Sequence, residues 1–174
     1  MMPTSTAGKS NNQAGFTLIE LALVVVLLGL LAGLALPMLN GLGSNALEIS
    51  ARRLAGTVKY LYNEAVMTGL EHRLIFDLKD HGYQSARLNP AGELEVLQGT
   101  GKPRSLGAGV RFSDIYQPRR GEQTSGNVVT ALLPGGWLEE TIIHLQDEND
   151  RQLTLRLVPL TGLTEIYPGR RDFR

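Results

Sequence analysis

The chain has 174 residues, with 17 Lys+Arg against 17 Asp+Glu and therefore no formal net charge. That balance excludes the strongly basic composition of a dedicated nucleic-acid binder, although a local basic patch stays open. There is no cysteine, which excludes a disulfide scaffold, Cys-ligated zinc, an iron–sulfur cluster and a thiol nucleophile.

Residues 1–15 are small and polar with Lys9 as their one charge, too poor in apolar residues for a packed core. The composition then switches abruptly. From Leu21 to Leu47 no residue is charged, and Leu21–Leu36 is wholly apolar or glycine. At about 1.5 Å per residue, a helix over Phe16–Leu39 is long enough to cross a hydrocarbon core of roughly 30 Å. A buried helix of a soluble domain fits poorly, because one of its faces would normally be polar. A secretory signal fits poorly as well, since its apolar region is shorter and its start more basic. Glu20 stands near the start of this run. Such a charge either serves a functional partner or sits at the membrane interface and reaches water. Lys9 on one side and Arg52 and Arg53 on the other leave the orientation undecided.

Pro37 predicts a helix kink, softened further by Gly41 and Gly43. From Ser44, a candidate N-cap, the chain reads as a second helical stretch that stops at Gly69. Leu47, Ala51, Leu54, Val58, Leu61 and Ala65 recur at helical spacing and predict one buried face. Beyond Gly69 the pattern becomes short runs between turn signals. Strands are predicted over 73–78, 83–88, 94–97, 110–112, 128–133, 141–145, 153–158 and 164–166. Residues 80–82, 89–92, 134–136 and 147–150 supply turns, and Asp114–Asn127 reads as a long loop. The fold class is α+β.

The join Gly15-Phe16-Thr17-Leu18-Ile19-Glu20, with the uncharged run behind it, resembles the N-terminus of the type IV pilin and pseudopilin family. The resemblance implies a leader over 1–15, cleaved by a prepilin peptidase between Gly15 and Phe16, and N-methylation of Phe16. It implies an assembly role for Glu20 and a helix-kinking role for Pro37. Glu20 would pair with the amino terminus of a neighbouring subunit in a filament core. Leu18, Leu21, Val25 and Leu28 would then line one packing side of the helix.

Further along, Ala65–Gly69 with Arg73–Asp77, Leu133–Gly136 with Thr141–Leu145, and Leu153–Val158 with Thr161–Ile166 resemble pseudopilin H of type II secretion. That resemblance implies a transmembrane and assembly helix over 16–43, its amphipathic continuation over 44–70, and a periplasmic two-sheet β domain over 71–174. The implied partners are other pseudopilins, major and minor, the prepilin peptidase, the inner membrane and its secretion platform. The implied place is the inner membrane, crossed once, and the implied work is structural, near the tip of a pseudopilus that supports protein export. The family also includes minor pilins of DNA-uptake pili, whose arginine-bearing tails contact DNA. Under that alternative Arg170, Arg171 and Arg174 would hold phosphates while Phe173 stacks on a base. The bland reading of the same tail is a frayed, solvated terminus.

Other chemistry is poorly supported. Asp147, Asn149 and Asp150 lack the spacing and the closing glutamate of a calcium loop, and read as a solvated hairpin turn. Gly99-Thr100-Gly101-Lys102 is followed by Pro103 where a phosphate loop needs Ser or Thr. His72, His81 and His144 show no ligand pattern, and the alternation of His144 with Ile143 and Leu145 predicts that it points away from the core. No nucleophile–base pair is visible, so neither a catalytic residue nor a cofactor is expected. The loop Asp114–Asn127 is the candidate partner surface.

Overall fold

The computed structural model describes residues 17–44 and 46–173, with the side chains of 32–44 excepted. The chain forms two units, Met1–Asn40 and Gly41–Arg174. Helix α1 (Leu18–Ser44) is 27 residues long and helix α2 (Ala46–Thr68) is 23. Ser44, expected as the cap of the second helix, is instead the last residue of α1. Pro37 lies within α1, and its expected kink concerns a side chain outside the described residues. Gly15, Phe16 and Arg174 also lie outside them. Among the described residues no helix is long and apolar enough to cross a membrane. The segment expected to cross continues into 32–44, beyond the described side chains.

The larger unit follows from the periodicity of α2. Leu47, Ala51, Leu54, Val58, Leu61 and Ala65 are all buried, and α2 stops where Gly69, at φ +66°, returns its N–H to the Ala65 carbonyl at 3.1 Å. Two antiparallel sheets receive this face. The first has β1 (His72–Asp77) at its centre, with β2 (Gly82–Leu88) and then β3 (Leu94–Val96) on one side. On its other side lies β7 (Asn127–Leu133) and then β8 (Trp137–Leu138), while β4 (Arg104–Ser105) pairs with β2. The second sheet runs in the order β11 (Thr164–Pro168), β10 (Gln152–Leu157), β9 (Thr141–Gln146), β5 (Arg111–Gln117), β6 (Gly121–Gln123). This is the expected α+β architecture.

The core joins Leu74 and Phe76 of β1, Val128 and Leu132 of β7, Ile143 and Leu145 of β9, and Leu155 and Leu157 of β10 to the α2 face. Phe76 meets Phe112 edge-on across the two sheets, with ring centroids 5.7 Å apart. A polar tie lies beside this apolar one. Gln117 Nε2 donates to the Val129 carbonyl at 3.0 Å, and the Thr130 and Thr141 hydroxyls are 2.8 Å apart. Every member of that buried set has a partner, which is what makes it tolerable inside a core.

One expectation fails outright. Asp114–Asn127 is not a long loop, because β5 continues to Gln117 and turns into β6. The turn glycine Gly121 and the polar residues around it suggested irregular chain, but the backbone pairing of Tyr116 with Glu122 makes a hairpin of them. A β-bulge at the start of β5 also broke the alternation that would have shown a strand.

Candidate functional site

At the start of α1 the spacing Thr17-x-x-Glu20 forms a reciprocal cap. The Glu20 N–H donates to Thr17 Oγ1 at 3.3 Å, while Glu20 Oε2 accepts from the Thr17 N–H at 3.2 Å and the Thr17 hydroxyl at 3.1 Å. These bonds occupy donors that a helix start otherwise leaves free, and they place a carboxylate at the positive end of the helix dipole. The signal for this was present in the sequence as a Thr followed three residues later by Glu. The uncharged run that follows masks it, because it gives Glu20 the look of a charge at a membrane interface. Leu18, Leu21, Val25 and Leu28, the expected packing side, are all exposed along α1.

The second cluster lies on the outer face of the five-stranded sheet. A lateral row crosses four strands: Asp114 opposite His144, His144 opposite Thr154, and Thr154 opposite Tyr167. The bulge between Phe112 and Asp114 sets this row, since a regular ladder would place Ser113 opposite His144. His144 Nδ1 lies 2.6 Å from Asp114 Oδ1, and Arg170 donates through Nη1 to Asp114 Oδ2 at 2.5 Å. Arg170 also reaches Glu122 at 3.3 Å and Asp172 at 3.7 Å. Asp114 is 2% exposed and His144 1%.

Burial pushes the Asp114 carboxyl up, but its hydrogen bonds to His144 and Arg170 outweigh burial and hold it below the usual range. For His144, burial pushes the ring down. The bonds to Asp114 and to the Arg171 carbonyl outweigh it and raise the imidazole above its usual value.

The tail Gly169–Phe173 is tied to this face, contrary to the frayed terminus expected. The Gly169 N–H donates to the Gln152 carbonyl at 2.8 Å. Thr154 uses its hydroxyl in both directions, donating to the Gly169 carbonyl at 2.7 Å and accepting from the Arg171 N–H at 2.9 Å. His144 Nε2 meets the Arg171 carbonyl at 3.1 Å. The Arg171 guanidinium lies over the Tyr167 ring, and Phe173 packs between Tyr167 and Arg156. His144 thus points away from α2 as expected, yet the tail covers it. Phe173 is stacked against the protein's own residues. Of the three candidate DNA-contacting arginines, Arg170 and Arg171 are drawn to one face by intramolecular partners, while Arg174 is outside the described residues.

The turn after β9 is also more ordered than a solvated hairpin. Asp147 is buried, and its carboxylate accepts from the N–H groups of Asn149 and Arg151 and from Arg151 Nε at 2.9, 3.0 and 2.8 Å. Its burial is offset by these donors, which hold the carboxyl low.

Residues 10–36 match the prokaryotic N-terminal methylation motif, a span that contains Gly15, Phe16 and Glu20. Type II secretion system protein H of Aeromonas hydrophila is 37% identical over 78 residues, covering 44% of this chain and 41% of that protein. Its namesake in Pseudomonas aeruginosa is 40% identical over 79 residues, covering 44% of each. The matched stretches therefore span less than half the length of either relative. Two solved structures of the minor pseudopilin EpsH of the Vibrio cholerae type 2 secretion system superpose with TM-scores of 0.56 and 0.59. They cover 70% and 74% of this chain and 96% and 98% of theirs, at 16% and 15% identity. The chain shares the fold of these two structures.

Within this fold, Asp114 and Thr154 are the functional-cluster residues that sequence reasoning missed. Thr154 lay in a clear strand alternation but carried no chemical signal of its own. Asp114 was hidden by the bulge.

Proposed function

We propose that the chain is a minor pseudopilin, a structural subunit near the tip of a type II secretion pseudopilus, where it supports export of folded proteins across the outer membrane. The observation that carries this reading is the coincidence of a methylation motif over 10–36 with an EpsH-like fold in a chain related to two proteins H. In this reading residues 1–15 are removed by a prepilin peptidase after Gly15, and Phe16 becomes the methylated N-terminus. The segment 16–43 anchors the subunit once in the inner membrane and packs in the filament core, with Pro37 bending it. The unit that follows stands in the periplasm and meets other pseudopilins. Its work is assembly rather than catalysis.

Glu20 has two tasks in this scheme. In the single chain it caps its own helix. In the filament its charge pairs with the amino terminus of a neighbour, an ion pair that offsets the cost of removing both groups from water.

The test is the culture-supernatant protein profile of a strain lacking the chain beside its complemented parent. The expected outcome is loss of specific exoproteins, with the same proteins trapped in the periplasm. An unchanged profile overturns the secretion reading and turns attention to a DNA-uptake pilus. That alternative requires the Arg170 side chain to exchange the Asp114 carboxylate for a phosphate.

A further inference from the structure

The outer-face cluster contains a hydrogen-bond count that a neutral histidine cannot meet. His144 Nδ1 faces the Asp114 carboxylate at 2.6 Å, and Nε2 faces the Arg171 carbonyl at 3.1 Å. An ionised carboxylate and a backbone carbonyl are acceptors only. A neutral imidazole has one N–H and satisfies one of them; the imidazolium has two and satisfies both. The ring is buried, so water cannot serve the unmet group. We propose that protonated His144 is the latch that holds the C-terminal segment Arg171–Phe173 on the outer face of the five-stranded sheet, and that loss of its proton releases that segment.

The surroundings define where release begins. From β5 the groups nearby are Asp114 and Tyr116, from β6 Glu122, and from the tail Arg170 and Asp172. The β10 side supplies the uncharged Thr154, with Arg156 farther along under Phe173, and β11 supplies Tyr167. Arg170 opposes the imidazolium, whereas Asp114 favours it, and the carboxylate is in direct contact. When His144 loses a proton, the Nδ1–H to the carboxylate is the bond it keeps, because the acceptor there is charged. The Nε2 lone pair then faces the Arg171 carbonyl. Arg170 remains bonded to the other oxygen of Asp114, and Gly169 remains bonded to Gln152. Loosening is therefore confined to Arg171 and the residues after it. The sign is that of a raised folded-state value: the latch is complete below the ordinary imidazole range and is lost as pH rises through the titration of the folded ring.

The experiment follows the ring nitrogens of His144 and the amide exchange of Arg171 by NMR, on the full chain in detergent micelles, from about pH 5.5 to about pH 8.5. Exchange is expressed as protection relative to the intrinsic rate at each pH. The expected result is a ring with both nitrogens protonated at the low end. Protection of the Arg171 N–H then falls roughly tenfold across the same midpoint, the equivalent of one lost hydrogen bond, while Leu155 in β10 keeps its protection. In His144→Gln the step in Arg171 protection disappears. The proposal is overturned if the ring carries a single proton at the low end while Arg171 is protected. It is equally overturned if Arg171 protection shows no step, or if His144→Gln retains one. Should His144→Gln fail to fold, the wild-type ring and its Arg171 step decide the matter alone.

Discussion

Helices α1 and α2 are both rich in leucine, valine and alanine, yet they dispose of that surface in opposite ways. From Leu18 to Leu31 the large apolar residues of α1 are between 44% and 87% exposed. In α2 the six residues at helical spacing from Leu47 to Ala65 are 0–1% exposed. The difference lies in the arrangement of polar residues. In α2 the charged residues stay off one side, where only the small hydroxyls of Ser50 and Thr57 join the apolar residues, so the chain can bury that side against its own sheets. In α1 there is no polar side to leave in water, and burial by a single face would not suffice. An apolar helix of this kind gains from cover outside its own fold, which a membrane and then a filament core would supply under the proposed function.

The contrast is broken most directly by cutting the same side chain from both helices. Leu54→Ala, in the core, should lower the stability of the larger unit by about 2–5 kcal/mol. Leu28→Ala should leave denaturant unfolding of that unit unchanged. Equal losses in the two variants would show that the α1 surface is covered within the chain.

A smaller effect is expected where α2 is fastened to the loop after β10. The Tyr62 hydroxyl lies 2.8 Å from the carbonyl oxygens of both Leu160 in that loop and Gly136 in the turn after β7, which share its single proton, and Gly162 sits against its ring at φ +62°. A Cβ on residue 162 would overlap the Tyr62 side chain. Gly162→Ala combines that overlap with a left-handed backbone and should cost about 3 kcal/mol. Gly126→Ala shares the positive φ without a close neighbour, and should cost only the backbone part, about 1–2 kcal/mol. Thermal unfolding of the two variants side by side separates crowding from backbone strain.

The outer face of the second sheet gives the pH dependence. Asp114 has a lowered folded-state value, so its contribution is present above the ordinary carboxylate range and is lost as pH falls through the folded value. His144 has a raised value, so its contribution is present below the ordinary imidazole range and is lost as pH rises through the folded value. Together they predict greatest support from this cluster between roughly pH 4 and pH 6.5. Asp114→Asn should cost about 2 kcal/mol inside that window, since Arg170 and His144 lose a charged partner, and less outside it. A chemical-denaturation series across pH reads both limbs. A constant difference between variant and parent would refute the assignment.

The smallest change in helix stability, and the sharpest for α1, is at Glu20. Glutamine serves in a capping box as glutamate does, so Glu20→Gln should keep the helix start within a few tenths of a kcal/mol. Glu20→Ala should lose about 1 kcal/mol there. Both variants should be processed after Gly15 and both should fail to crosslink into filaments, because both lack the charge. Normal incorporation of Glu20→Gln would show that capping, rather than ion pairing, is the contribution of this residue to assembly.

Much of this architecture was written locally. The uncharged run after Phe16, the helical spacing from Leu47 to Ala65, and the alternation of Leu153, Leu155 and Leu157 each reflect a burial requirement that repeats with the period of its own element. Such patterns survive without knowledge of what lies opposite, which is why α1, α2 and most strands were legible. The cluster on the outer sheet face was not. Asp114 and His144 are 30 residues apart, Asp114 and Arg170 56, and His144 and Arg171 27. They meet only because β5, β9 and β10 lie side by side, because one bulge exchanges Ser113 for Asp114, and because the chain beyond β11 turns back over the face they share. Sequence period determines which side of a strand a residue occupies. Register and strand order determine its neighbours, and those are properties of the assembled sheet alone.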